Sequence, residues 1–331
     1  MSTKYTPPNQ NLPIERRLKA AQITLQKLEL FCLVVRLGSV TRAAERLAIA
    51  QPAVTAHLRS LEEKIGSVLL RKDGRNVVLT EAGERVHAWA TEVVARSFEV
   101  ERDLSGMRDG AQGSVAIAST MAAGSYSITD IAVQFLKANP GAKLAIQISN
   151  PKAVLESVRN GTCDFAVLIL DPSQDIEGLL VQKLWDEPLI LCAANGSERI
   201  AAVTTNDMLQ KLDFITPPLG LVTRDLEDEM LHVNGVTERN VVLELGHPEA
   251  MKRAVKADVG VSFLLETTIR EDMRAGLLKT SETPGLVDFK IPLFLVSRRK
   301  KTLSKIQRRL MDYIAAWRVE DSLSESPDPP K

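Results

Sequence analysis

The sequence predicts an α/β protein in three parts: a small helical domain closed by a β-hairpin, one long connecting helix, and a larger two-lobed body of alternating strands and helices. Three observations carry this. Apolar residues recur at helical spacing in short bursts over residues 25–70. One helical pattern free of proline then runs over residues 80–108. Beyond Gly110 and Gly113, strand-like runs at 114–118, 143–148 and 165–170 alternate with helical segments near 128–138 and 152–159. That alternation reads as βαβ units around a mainly parallel sheet.

Composition bounds the rest. A chain of 331 residues exceeds one ordinary core and divides into domains of roughly 100 to 200 residues. With 44% hydrophobic and 25% charged residues it has a globular composition. No apolar run reaches the roughly 18 residues of a membrane helix, so no membrane partner is expected. Residues 1–20 carry prolines and charges where an export signal needs an apolar stretch, and the expected location is the cytoplasm. Cys32, Cys163 and Cys192 show neither CxxC spacing nor a histidine cluster. They are expected to be buried thiols, with no metal and no cofactor. The net charge of zero hides an asymmetry: residues 1–75 hold 13 Lys+Arg against 6 Asp+Glu, leaving 29 against 36 for the remainder. A basic front end on an acidic body suits a chain that meets phosphates with one end only.

The first helix pair is the most informative stretch. Ser39 is placed to cap a short helix reaching about Leu47. After a tight turn a second helix opens near Gln51, where Pro52 is tolerated because first-turn N–H groups lack intrahelical partners. Val54, Leu58, Leu61 and Ile65 stack on one face of it. Pro52, Ala56, Arg59 and Ser60 project to the opposite face, with Ala53 and Thr55 flanking. His57 lies on the flank, either near a phosphate or without a role. Such an outward face fits a DNA major groove. Downstream, Asp73-Gly74 separates two extended runs as a hairpin turn, with Arg71, Lys72 and Arg75 crowded around it. A basic hairpin after a recognition helix is a wing, and its cations suit backbone phosphates. Residues 23–80 therefore read as a winged helix-turn-helix for double-stranded DNA, against the competing reading of a helical subdomain that binds another protein.

The stretch TRAAERLAIAQPAVTAHLRSLEEKIGSVLLRKDGRNVVLTEAGE resembles the winged helix-turn-helix of LysR-type transcriptional regulators. Domain order, the connecting helix and the phrases LKANPGAKLAI, GTCDFAVLI and AVKADVGVSFL extend the resemblance over almost the whole chain. The resemblance implies DNA contacts from Ser39, Thr41 and Arg42 on the first helix, from Gln51, Pro52 and Thr55 on the second, and from the wing arginines. Two residues depart from the family. Ala50 replaces the usual capping serine, and Ala56 replaces an arginine or other long polar residue. Base reading then falls to neighbouring residues or to DNA shape.

Residues 81–110 form the linker helix. Val86, Val93, Val100 and Met107 are spaced by seven, with Ala90, Ser97 and Leu104 interleaved, a short coiled-coil seam able to pair two copies. A homodimer, or a homotetramer built from two dimers, is expected; packing of the helix on its own domain is the competing reading.

Residues 111–318 form the body, with tails at 1–22 and 319–331. Lobe I is expected over about 111–184 and 288–318, and lobe II over about 185–287. By resemblance this is a periplasmic-binding-protein-like effector domain with its ligand between the lobes. Independently, ligands of open α/β sheets bind beyond the carboxyl ends of strands. Ser119 and Thr120 follow the first run, Ser149 and Asn150 the second, and Thr216 follows Phe214-Ile215; Thr223 and His247 join them by position. Hydroxyls and helix N-termini together suit a small organic anion, while helix capping is the competing role of each hydroxyl. Ser149-Asn150-Pro151-Lys152 has SxxK spacing, but its usual companion motifs are missing, and no GxGxxG, Walker-type, HExxH or GxSxG motif occurs. The expected function is non-enzymatic: a sequence-specific regulator whose DNA binding or bending responds to a small-molecule effector, with RNA polymerase as a candidate partner at the promoter. The alternative is a two-lobed small-molecule-binding protein without a promoter role.

Overall fold

Helix α1 (Leu25–Leu37) opens at Thr24, whose hydroxyl accepts from the Lys27 N–H, and closes on Gly38 in the left-handed region. The computed structural model describes residues 23–74, 76–108, 113–170, 174–299 and 301–317. The two tails, Arg75 and Gly110 lie outside the described residues. The chain divides into two compact units, residues 1–101 and 102–331.

In the first unit α2 (Val40–Leu47) and α3 (Gln51–Ile65) follow α1, then the hairpin β1 (Leu70–Asp73) and β2 (Asn76–Leu79), then α4 (Glu81–Arg108). The turn between α2 and α3 passes through Ala48 at φ 54, a region that costs a residue with a Cβ about 1–2 kcal/mol. Phe31, Val34, Ala43, Val54 and Leu61 are fully buried at the meeting of the three helices, and Ala90 and Val94 of α4 seal the same core. The Glu62 carboxylate accepts from the backbone of Leu69 and Leu70, tying α3 to the hairpin. At Gly83 a Cβ would fall 2.1 Å from the Leu69 carbonyl oxygen, so only glycine lets α4 start against β1.

The second unit carries β3 (Gly113–Ser119), α5 (Thr129–Ala138), β4 (Ala142–Ile148), α6 (Pro151–Arg159), β5 (Phe165–Leu168), β6 (Leu179–Ala194), β7 (Asp213–Thr216), α7 (Val222–Val233), β8 (Asn240–Glu244), α8 (Pro248–Lys256), β9 (Ser262–Leu265), α9 (Glu266–Arg274), β10 (Leu278–Ser281), β11 (Lys290–Arg298) and α10 (Lys305–Ala316). A seven-stranded sheet runs β10-β6-β11-β5-β3-β4, with β9 also on β6, and β7-β8 is a separate pair. All four β5 residues are fully buried. Phe165 and Val167 pack in the core shared with α5 and α10, while Ala166 and Leu168 pack with Val154, Leu155 and Val158 of α6.

Strand β6 is common to both lobes. Residues 179–188 pair with β11, and 189–194 pair with β9 and β10. The expectation of a mainly parallel sheet needs correction. The pairs β3-β4, β3-β5 and β7-β8 are parallel, but every pairing of β6 and β11 is antiparallel. The physical reason is that β6 and β11 run between the lobes in opposite directions. Apolar periodicity reports that a strand is buried, not the direction of its neighbour.

Candidate nucleic-acid interface and ligand cleft

Because Val54, Leu58 and Leu61 bury one face of α3, the other face is left to solvent: Gln51, Pro52, Ala56 and Arg59 are exposed. Ala50 precedes α3 with no side-chain cap, and Pro52 occupies its first turn. Thr55 is half-buried, and its hydroxyl donates to the Gln51 carbonyl at 3.2 Å. His57 is half-buried on the flank. Ser60 departs from expectation: it is half-buried, and the Lys27 ammonium donates to its hydroxyl at 3.0 Å. A long side chain from α1 reaches the edge of the projected outward face, and a projection of α3 alone carries no sign of it.

On α2, Ser39 is the N-cap and accepts from the Arg42 N–H, while Thr41 and Arg42 are exposed. The Val77 N–H donates to the Gly38 carbonyl at 2.9 Å, holding the hairpin beside the start of α2. Arg71 and Lys72 are exposed on β1, opposite Val78 and Val77, and Gly74 turns the chain at φ 60. Arg75 lies outside the described residues. Thus the cations of β1, the cap of α2 and the bare face of α3 belong to one small unit.

Helix α4 presents two stripes. Ala90 and Val94 are buried in the core of the first unit, with Val86 and Val93 partly buried against it. Trp89, Val100 and Leu104 stay 44–51% exposed, and a groove of about 650 Å³ is lined by Trp89, Val93, Arg96 and Val100 among others. The heptad reading interleaved Ala90 into the seam and passed over Trp89. A rotation of one residue, set by packing on α1, decides between them.

In the second unit the expected ligand residues fall at strand ends. Ser119 closes β3, fully buried, and its hydroxyl donates to the Val167 carbonyl at 2.5 Å. Thr120 follows; its hydroxyl oxygen is buried without a hydrogen-bond partner. The Ser149 N–H donates to the Ser119 carbonyl, joining the ends of β3 and β4. Asn150 caps α6 by accepting from the Ala153 N–H. Thr216 is buried and accepts from the Arg224 guanidinium at 2.6 Å. Thr223 is half-buried in the first turn of α7, and exposed His247 caps α8 by accepting from the Glu249 N–H. Asn150 and His247 are therefore helix caps, a role expected from sequence only for the hydroxyls.

Sequence reasoning missed the residues that join the lobes. Tyr126 donates its phenolic hydrogen to Glu249. Glu187, fully buried on β6, accepts from Ser127, Trp185 and Thr267. Burial first, and then the hydrogen bond to Glu249, push the Tyr126 phenol well above its ordinary pKa. Burial alone would raise Asp272, but hydrogen bonds from Lys252 and Lys256 outweigh it and hold the carboxyl below the ordinary range. Trp185 apart, the partners of Tyr126 and Glu187 are 60 to 123 residues away in sequence and leave no local signal. Among the described residues, no group of three or more His, Cys, Asp or Glu could hold a metal ion, and no helix is long and apolar enough to cross a membrane.

Known proteins share this arrangement. Residues 25–84 match the family model described as bacterial regulatory helix-turn-helix protein, lysR family, and residues 108–318 match the LysR substrate binding domain. The chain is 30% identical over 259 residues to the uncharacterized HTH-type transcriptional regulator YwqM of Bacillus subtilis (strain 168), spanning 77% of this chain and 86% of that one. Full-length CbnR, solved in complex with its target DNA, superposes with a TM-score of 0.53 at 19% identity over 91% of this chain and 100% of that one. The regulatory domain of CcmR from Synechocystis PCC6803, in complex with 2-PG, gives a TM-score of 0.53 at 24% identity over 62% of this chain and 97% of that one. With both domain models matched in order on one polypeptide, the chain belongs to the LysR family of transcriptional regulators.

Proposed function

We propose that the exposed face of α3 enters the major groove of double-stranded DNA, with Gln51, Pro52, Thr55 and Arg59 toward base edges. Ser39, Thr41, Arg42 and His57, together with wing residues Arg71, Lys72 and Arg75, take the phosphates. The observation that carries this reading is the bare strip of Gln51, Pro52, Ala56 and Arg59 on a helix that buries Val54, Leu58 and Leu61 on its other side, in the same unit as the exposed cations of β1. Ala56 offers no hydrogen bond, so bases opposite it are read by neighbours or by shape. That full-length CbnR was solved with its target DNA supports DNA as the partner.

Two copies pair through α4, using Val86, Val93, Val100 and Leu104 with Trp89, as a homodimer or a homotetramer. Pairing sets two recognition helices on a split site. The effector is a small organic anion held by Thr120, Ser149, Asn150, Thr216, Thr223 and His247 between lobes at 111–184 with 288–318 and at 185–287, while the Ser119 hydroxyl is committed to the Val167 carbonyl. The 2-PG in the CcmR regulatory domain supports a small-molecule effector in this domain. The protein acts in the cytoplasm, meets RNA polymerase at the promoter and catalyses no reaction.

Salt dependence tests the wing. Each phosphate contact contributes about 0.9 to the slope of log affinity against log salt. Arg71→Ala and Lys72→Ala should each lower that slope by about one and weaken cognate and random duplexes alike, as read by fluorescence anisotropy over a salt series. A slope unchanged in both variants removes the hairpin from the interface.

A further inference from the structure

We propose that the π-helical segment Gly124–Ile128 is a relay that passes occupancy of the ligand cleft to the second lobe, with Tyr126 and Ser127 as its positioning residues. The proposal rests on the cleft reading above, since it makes Thr120 the point of entry.

The segment lies between a single helical turn (Met121–Ala123) and α5. A π-helix carries an extra residue in its turn, a less favourable winding that recurs at functional sites. Here it is built into its surroundings. A Cβ at Gly124 would fall 2.9 Å from the Ser119 Cβ and 3.0 Å from the Ile148 Cγ1, so glycine lets the segment rest directly on the ends of β3 and β4. The Thr129 hydroxyl donates back to the Gly124 carbonyl at 2.7 Å, bracing the wide turn from end to end.

Two consecutive residues of the segment reach lobe II. Tyr126 donates to Glu249 of α8, and the Lys252 ammonium sits 5.2 Å from the centre of its ring. Lys252 is held in turn by Glu249 and Asp272. Ser127 donates to Glu187 at 3.0 Å, and the other oxygen of Glu187 accepts from Thr267 at the start of α9, also at 3.0 Å. Glu187 stands beside Pro188, where β6 changes partners from β11 to the strands of lobe II. One short segment therefore sets the seating of both α8 and α9 against lobe I.

The entry point is at the head of the same segment. The Thr120 carbonyl accepts from the Gly124 N–H at 2.8 Å, while the Thr120 hydroxyl oxygen is buried without a partner. A buried polar atom with no hydrogen bond is costly, and a bound anion able to accept from it removes that cost in one state of the segment and not in the other. That difference is what lets a ligand shift an equilibrium. Rewinding the segment to α-helix turns residues beyond the lost bulge by about 100°, which breaks the contacts of Tyr126 and Ser127 together.

The test is the lobe-to-lobe distance in the full-length protein, read by pulsed electron spin resonance between nitroxides at Lys137→Cys and Lys211→Cys in a Cys32→Ser background. Tyr126→Phe combined with Ser127→Ala should at least double the width of the distance distribution or move its centre by several ångström. Tyr126→Phe alone, which keeps the ring, should give a smaller change of the same kind and serves if the double variant does not fold. Unchanged distributions in folded variants overturn the relay, even if their melting temperatures fall. Titration of the unsubstituted protein with 2-PG and with inorganic phosphate, followed by hydrogen exchange, separates the two readings. Protection at residues 119–121 and 149–150 with altered exchange at 124–128 supports both. Protection there with unaltered exchange at 124–128 overturns the relay and leaves the cleft standing. No protection by either anion, with a distance change in the variants, removes the anion cleft and keeps the seating role of Tyr126 and Ser127.

Discussion

Leu61→Ala should abolish DNA binding at physiological temperature while leaving the second unit folded. Leu61 is fully buried where α3 meets the core of the first unit. Truncating a buried leucine costs about 2–5 kcal/mol, because a cavity is added to the lost transfer energy. A unit of this size has roughly 0.05–0.15 kcal/mol of stability per residue, so the loss is a large part of its total. Calorimetry should show the transition of the first unit falling by roughly 10–25 °C, with duplex affinity falling in parallel. A variant that melts like the parent would mean that α3 is not held through this residue.

The second large effect belongs to lobe II. Arg239 and Glu227 form an ion pair whose side chains are 6% and 3% exposed. Arg239 also bonds Asp228 and lies over the Phe214 ring, 5.4 Å from its centre. Burial pushes the Glu227 carboxyl above its ordinary pKa even with the guanidinium beside it. Arg239→Ala leaves that carboxyl buried with its cation gone, and breaking one side of such a pair costs about 3–5 kcal/mol. The effector unit should melt on the order of 10 °C lower. The double variant Arg239→Leu with Glu227→Leu should recover much of the loss, since an apolar replacement of a whole buried pair is often neutral. A single variant that keeps its melting temperature would show that the pair contributes little.

These effects fall in regions that differ in how far the sequence reveals them. The helix-turn-helix was legible because its signals are local: a serine cap three residues before its N–H donor, a proline in the first turn of α3, and apolar residues at one helical period. The strand ends that carry Ser119, Ser149 and Thr216 were legible from short apolar runs that stop at polar residues. What failed required partners distant in sequence. The exposure of Trp89 rather than Ala90 depends on how α4 seats against α1, a rotation of one residue that no heptad count resolves. The antiparallel pairing of β6 with β11 depends on the chain returning after a whole lobe. Ser60 looked free until the lysine of another helix was found beside it. Glu187, isolated in sequence among Trp185, Asp186 and Pro188, acquires its role only when Ser127 and Thr267 close on it from the two lobes.

The measurement closest to the central claim compares the parent protein with Gln51→Ala on the duplex upstream of its own gene and on a random duplex of equal length, at one fixed salt concentration. Losing a base-reading pair costs about 1–3 kcal/mol, so the variant should bind the upstream duplex roughly 5- to 150-fold more weakly and the random duplex with nearly unchanged affinity. Equal losses on both duplexes, or parent protein that fails to prefer the upstream duplex to the random one, would contradict the assignment of α3 as the element that reads sequence.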